Sequence, residues 1–231
     1  MGFRTILFDA DGTLWDFDGS AKIAMQIVFE RRGYTFSDEI FARYEEINRG
    51  MWEKYERGEM ARDQVLTERF DVFFAEQGID AEGAGFENEF RVELEENPLW
   101  MPGAREVLTE LRPDCKMYII TNGVASTQRK RIALTGLDRY VDGFFISEEI
   151  GAQKPQEAFF DYVLTHIEPC PKEEILLVGD SLSADILGAN HSGIASCWFN
   201  LAAKPLTGEA LPDYEIQTLA ALPEIIIKRE E

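Results

Sequence analysis

The chain has 231 residues, 45% of them hydrophobic and 12% aromatic, enough for one large domain or a core with a smaller partner unit, which excludes global disorder. Its net charge of −20 excludes a general nucleic-acid binder and a protein that docks on anionic membranes, since both need basic surface. An acidic protein can still take a small anionic ligand where positive charge is concentrated locally.

The first apolar run, Thr5-Ile6-Leu7-Phe8, reads as a buried strand that stops at Asp9, far short of a membrane span. Arg4 stands early, no secretory pattern is visible, and the three cysteines (Cys115, Cys170, Cys197) form no metal-type pair. A cytoplasmic setting is the expectation.

Directly after this strand comes Asp9-Ala10-Asp11-Gly12-Thr13. Two carboxylates at a strand end suit a hard cation such as Mg²⁺, which prefers oxygen ligands; the same residues also suit an ordinary acidic turn.

From about Asp16 to Asn97 the apolar positions follow helical spacing: Ile23, Ile27 and Val28; Ile40, Phe41, Tyr44 and Ile47; Val65, Leu66, Phe70, Phe73 and Phe74; Phe86, Phe90 and Leu94. Gly33, Gly58 and Gly78 punctuate them as helix ends would. Residues 16–97 are therefore expected to form a helical insertion, closed by Pro98 and Pro102, with residues 1–15 and 98–231 forming the core.

In that core, strands are expected at Met117–Ile120, Gly143–Ile146, Ile175–Val178 and Ala195–Phe199, with helices at Ala104–Leu111, Thr127–Leu134, Glu157–His166 and Ala184–Ala189. The alternation predicts an α/β fold with a doubly wound parallel sheet, whose ligand crevice lies at the carboxyl ends of the strands. The closing Lys228-Arg229-Glu230-Glu231 reads as a frayed helix end.

Three further strand ends carry polar groups. Thr121-Asn122-Gly123 offers a hydroxyl, an amide and backbone N–H groups for a phosphate cradle, and is equally a good turn sequence. Lys154-Pro155 follows the strand at Gly143–Ile146, with the proline placed for a helix's first turn; its lysine could neutralise a carboxylate and a phosphoryl oxygen or be solvated surface. Asp180, after Ile175–Val178 and Gly179, can complete a metal site, and Asp185 can orient it or simply favour a helix N-terminus.

In order and placement these segments resemble the haloacid dehalogenase superfamily over nearly the whole chain. The resemblance implies a Rossmann-like core, Asp9 as nucleophile, Asp11 as general acid/base, Thr121 as the hydroxyl that binds the transferring phosphoryl group, and Lys154 as the motif lysine. It also implies Mg²⁺ held by Asp9, the Asp11 backbone carbonyl and Asp180 with Asp185 beside them, an aspartyl-phosphate intermediate, and a C1-type helical cap that selects substrate. Dehalogenases lack the second acid of Asp9-Ala10-Asp11, so phosphotransfer to water is favoured; phosphosugar mutases share it.

Asp9–Leu14 with Phe17-Asp18, Asn48 with Met51-Trp52 and Tyr55, Ile120–Gly123, Ile146–Gly151 and Asp185–Ala189 with Cys197–Asn200 are similar to bacterial pyrimidine 5′-nucleotidases, some of which carry glutamate in place of Gly12. That resemblance implies a small phosphate ester as partner, bound by Thr121, Asn122, Gly123 and Lys154, with Phe17, Asn48, Trp52 and Tyr55 as base contacts or as helix packing. A sugar-phosphate or phosphoglycolate phosphatase is the alternative, and a non-catalytic phosphate-binding module a third.

Overall fold

The computed structural model describes residues 2–226; the Lys228–Glu231 segment lies outside them. They divide into two compact units: residues up to Asp16 together with those from Trp100 onward, and Phe17–Leu99.

The first unit is built on a fully parallel six-stranded sheet of β1 (Thr5–Phe8), β2 (Lys116–Thr121), β3 (Gly143–Ile146), β4 (Ile175–Gly179), β5 (Ala195–Phe199) and β6 (Tyr214–Ile216), in the order β3-β2-β1-β4-β5-β6. The short apolar runs are strands because both faces are covered. Ile6, Phe8, Met117, Ile119, Leu176 and Val178 pack with α5 (Ala104–Leu111), α6 (Ala125–Thr135) and α10 (Leu222–Ile226). Their alternates Leu7, Tyr118, Ile120, Ile175 and Leu177 pack with α8 (Glu157–His166) and α9 (Leu187–Ser192). A four-residue α7 (Ser147–Ile150) follows β3 directly.

The register places Phe8 beside both Ile119 and Val178, so β1, β2 and β4 end at one edge. The strand order reverses between β1 and β4, which is where open α/β sheets bind ligands.

The second unit contains α1 (Phe17–Arg32), α2 (Asp38–Glu56), α3 (Arg62–Gln77) and α4 (Gly83–Glu96). Its interior is aromatic: Tyr44 stacks on Phe70 with ring centroids 5.0 Å apart, and Phe29, Phe73, Phe74, Phe86 and Phe90 close around them. Each such ring contributes about 1.5–3 kcal/mol through burial. On α1 the buried face is Ala21, Ala24, Met25, Val28 and Phe29, while Ile23 and Ile27 lie at its margin; the bulkier residues had suggested a stripe rotated from the true one.

Candidate active site

The loop after β1 is closed by its own backbone: Leu14 N and Trp15 N both donate to Ala10 O, and Gly12 N donates to Trp15 O. Asp9 continues the sheet, its N–H donating to Val178 O at 2.9 Å. This fixes the Asp9 carboxylate at the strand end, largely buried.

Lys154 is buried with it. Its ammonium donates to Asp9 Oδ1 at 2.6 Å, to Asp185 Oδ1 at 2.7 Å and to Ile120 O at 3.1 Å, so all its N–H groups are committed. Burial favours the neutral amine, but Asp185 and Asp9 outweigh it and hold the Lys154 pKa above the ordinary lysine value. Burial pushes the Asp9 carboxyl up to about 7, with Lys154 opposing and Asp185 adding to the rise.

Several neighbours hold this arrangement. Asn122 grips the Lys154 backbone twice, Nδ2 donating to its carbonyl at 2.9 Å and Oδ1 accepting from its N–H at 3.0 Å. Asp185 Oδ2 accepts from Ser181 N at 3.1 Å. A β-carbon on Gly179 would stand 2.3 Å from that same oxygen, so β4 must end in glycine for Asp185 to reach Lys154. Trp198 Nε1, from β5, donates to Asp180 O at 3.0 Å.

Asp9, Asp180 and Asp185 each bring a carboxylate oxygen into a group within 4.8 Å, the first and last buried and Asp180 exposed. Asp9 Oδ2 is buried and meets no hydrogen-bond partner among the described residues. An orphaned buried carboxylate oxygen beside two more carboxylates fits a hard divalent cation. Gly12 leaves room beside them: at φ +88° its β-carbon would lie 2.6 Å from Asp180 Oδ2.

The remaining expected residues are placed as follows. Asp11's carboxylate stands outside the acidic group, accepting from Gln128 and Arg131 of α6, so any metal contact from this residue falls to its backbone carbonyl. Thr121 ends β2, its Oγ1 accepting from Gly123 N at 3.0 Å. The Asn122 side chain bonds the Lys154 backbone from the same loop. Pro155 precedes α8 by two residues rather than starting it, and Asp185 lies in a π-helical turn, Leu182–Ile186, before α9.

In the helical unit, Asn48 is buried and its Oδ1 accepts from Arg69 Nη1 at 2.9 Å. Phe17 packs on the aromatic core, and Trp52 meets Tyr55 edge-on at 5.5 Å, both keeping part of their surface exposed. Gln128 and Arg131 escaped the sequence reading as site residues, and Trp198 was read there only in a strand and a matching stretch. The first two sit at i and i+3 on the helix after Thr121-Asn122-Gly123, a spacing that puts both on one helix face.

Residues 3–193 match the family of haloacid dehalogenase-like hydrolases. The HAD-hydrolase YfnB of Bacillus subtilis is 38% identical over 224 residues, 97% of this chain and 95% of that protein. A crystal structure of YfnB bound to magnesium superimposes with a TM-score of 0.92, covering 98% of this chain and 99% of that one. The pyrimidine 5′-nucleotidase YjjG of Escherichia coli is 33% identical over 228 residues, 99% of this chain and 100% of its own length. The pyrimidine 5′-nucleotidase PynA of Streptococcus pneumoniae is 30% identical over 229 residues, 99% and 97% respectively.

The chain belongs to the haloacid dehalogenase-like hydrolases. Within them it is a phosphoric monoester hydrolase. Among the described residues no helix is long and apolar enough to cross a membrane.

Proposed function

We propose that the protein hydrolyses nucleoside 5′-monophosphates, pyrimidine ones foremost, by a Mg²⁺-dependent route through an aspartyl-phosphate on Asp9. The observation that carries this is the buried Lys154 ammonium between Asp9 and Asp185, with Asp180 beside them and one Asp9 oxygen unpartnered. The names of the two nucleotidase relatives support the substrate class.

In this reading Asp9, Asp180 and the Asp11 backbone carbonyl hold the cation, with Asp185 set by Lys154 beside them. When bound, Mg²⁺ supplies positive charge that offsets repulsion between the nucleophile and the phosphate. Lys154 holds Asp9 in one orientation and adds to that neutralisation. Thr121 and the Gly123 backbone orient the phosphoryl oxygens. With one Asp9 oxygen left to the cation, the other forms a bond to phosphorus while the bond to the nucleoside oxygen breaks and protonated Asp11 gives that oxygen its proton. Water then attacks phosphorus, Asp11 takes the water's proton, and phosphate leaves as Asp9 regains its carboxylate. The helical unit, inserted just after this loop, is the proposed cap, with Phe17 and Trp52 as its candidate base contacts. A cytoplasmic setting belongs to the same reading, supported by three cysteines that are free thiols.

Turnover of UMP, dTMP, hexose phosphates and phosphoglycolate with Mg²⁺ tests the substrate class. Nucleotides should lead, and equal or better turnover of the sugar or glycolate esters defeats the claim. Asp9→Asn should abolish activity on every ester, and its survival defeats the mechanism.

A further inference from the structure

α6 carries two buried polar side chains that the reaction as drawn leaves unused: Gln128 and Arg131, 2% and 1% exposed. Both end on Asp11. Gln128 Nε2 donates to Oδ2 at 2.5 Å, and Arg131 Nη1 donates to Oδ1. The Arg131 guanidinium also lies over the buried Trp15 ring, 4.4 Å from its centroid, so it packs on the loop that carries Asp11. Gln128 reaches Thr121 Oγ1 as well, at 3.3 Å. A β-carbon on Gly123 would stand 2.0 Å from Gln128 Nε2, so that glycine makes room for the glutamine's amide.

The clamp is incomplete on its own side. Gln128 Oε1, Arg131 Nε and Arg131 Nη2 are buried and find no hydrogen-bond partner among the described residues. Buried N–H groups of a guanidinium are costly to leave unpaired. An anchor serving stability alone would be expected to satisfy them. Here the two side chains are aimed at one carboxylate and leave unused capacity around it, as suits a group that changes partners during turnover.

We propose that Gln128 and Arg131 are positioning residues that set the Asp11 carboxyl for both of its proton transfers. This rests on the reading of Asp11 as the general acid/base. Arg131 stays charged throughout and makes the stronger, charge-assisted contact, so it acts as the pivot on Oδ1. Gln128 makes a neutral contact, and it is the one that yields when Oδ2 turns to the leaving oxygen or to water. Asp11 gives its proton as the ester P–O bond breaks and recovers one from water, while neither α6 side chain gains or loses a proton.

The test is a set of double-mutant cycles. Gln128→Ala, Arg131→Met and Arg131→Lys are measured alone and combined with Asp11→Asn. The readout is single-turnover release of product from an alkyl phosphate, which needs a proton donor, and from p-nitrophenyl phosphate, whose leaving group does not. Gln128→Ala and Arg131→Met should slow the alkyl ester roughly 10- to 100-fold, part of what a positioned acid supplies. KM should hold and p-nitrophenol release should change far less. Arg131→Lys should recover part of the loss, and in the Asp11→Asn background both substitutions should be silent. Equal losses with both esters, or undiminished losses in the Asp11→Asn background, overturn the proposal and leave a structural role. If Asp11→Asn itself leaves alkyl turnover intact, the reading of Asp11 fails instead. Gln128→Ala removes no charge and carries the test even where Arg131→Met does not fold.

Discussion

Lys154 and Asp9 stand 145 residues apart in the chain and meet through a buried 2.6 Å charge-assisted hydrogen bond. One is delivered by the first strand and the other by the loop before α8, and Asp185 closes the group from beyond the fourth strand. The same contact therefore ties together distant parts of the sheet and sets the proposed nucleophile. Folding and the proposed chemistry would then depend on it jointly.

Lys154→Met should consequently fail in two ways. It leaves the buried Asp9 and Asp185 carboxylates facing each other without a cation, a loss of about 3–5 kcal/mol. For a chain of this size that lowers Tm by roughly 6–20 °C. Activity should vanish even where the variant remains folded. Lys154→Arg should not restore it, because a planar fork cannot donate to Asp9, Asp185 and Ile120 O from one point. Thermal melting and turnover of UMP on purified variants check both halves, and an active Lys154→Met protein would contradict the account.

Asp180 and Asp185 should separate when each is changed to asparagine. Asp180 is exposed, and Asp180→Asn should alter metal-free stability by no more than about 0.5 kcal/mol. Asp185 is buried, and an amide there would turn N–H toward Ser181 N–H or withdraw charge from Lys154, so Asp185→Asn should cost about 1–3 kcal/mol before any metal is added. Mg²⁺ should raise the wild-type Tm and restore activity after EDTA treatment, whereas Asp180→Asn should lose most of that rise. Melting curves over a Mg²⁺ series measure it directly. An undiminished Mg²⁺ response in Asp180→Asn would remove that residue from the metal site.

The strands were legible because β1, β3 and β4 are largely apolar runs bounded by polar residues, and a parallel sheet covered on both faces demands that pattern. The three-residue β6, Tyr-Glu-Ile, is too short for any period to show. Lys154 gave no local sign of burial, since its counter-charges come from distant strand ends that only the topology brings together. Gln128 and Arg131 were hidden for the same reason: on α6 they read as ordinary polar helix residues until Asp11 is placed against them. The bond of Asn48 to Arg69 was not legible either, because Arg69 lies on another helix.

The cysteines test the packing of the first unit without reference to catalysis. Burial pushes the Cys115 thiol up to about 11 and the Cys197 thiol up to about 12. At pH 8 only about one in 10³ and one in 10⁴ of these groups would be thiolate, and the thiolate is the reactive form. Cys170 is half-buried, its Sγ 3.2 Å from Thr5 Oγ1. A disulfide-exchange reagent at pH 8 should therefore titrate one thiol quickly in the native protein and three in denaturant. Rapid native reaction of all three would mean that the sheet opens far more readily than its packing implies.

The interior of the helical unit contains an ion pair whose removal has an asymmetric outcome. Arg69 donates to Glu87 in a bidentate fork at 2.8 and 2.7 Å and to Asn48 Oδ1 at 2.9 Å, with the Phe70 and Phe90 rings beside its guanidinium. Arg69→Met strands Glu87 in an aromatic core and should cost about 3–5 kcal/mol. Replacing both partners, Arg69→Met with Glu87→Leu, removes the buried charges together and should recover most of that loss. Asn48→Ala removes an acceptor only and should cost about 1–3 kcal/mol. Urea unfolding of the four proteins distinguishes these cases. Were the double variant as unstable as Arg69→Met, the fork would have to contribute through its geometry rather than by balancing charge. Were Asn48→Ala instead to raise KM for nucleotides at unchanged stability, Asn48 would serve the substrate rather than the packing around Arg69.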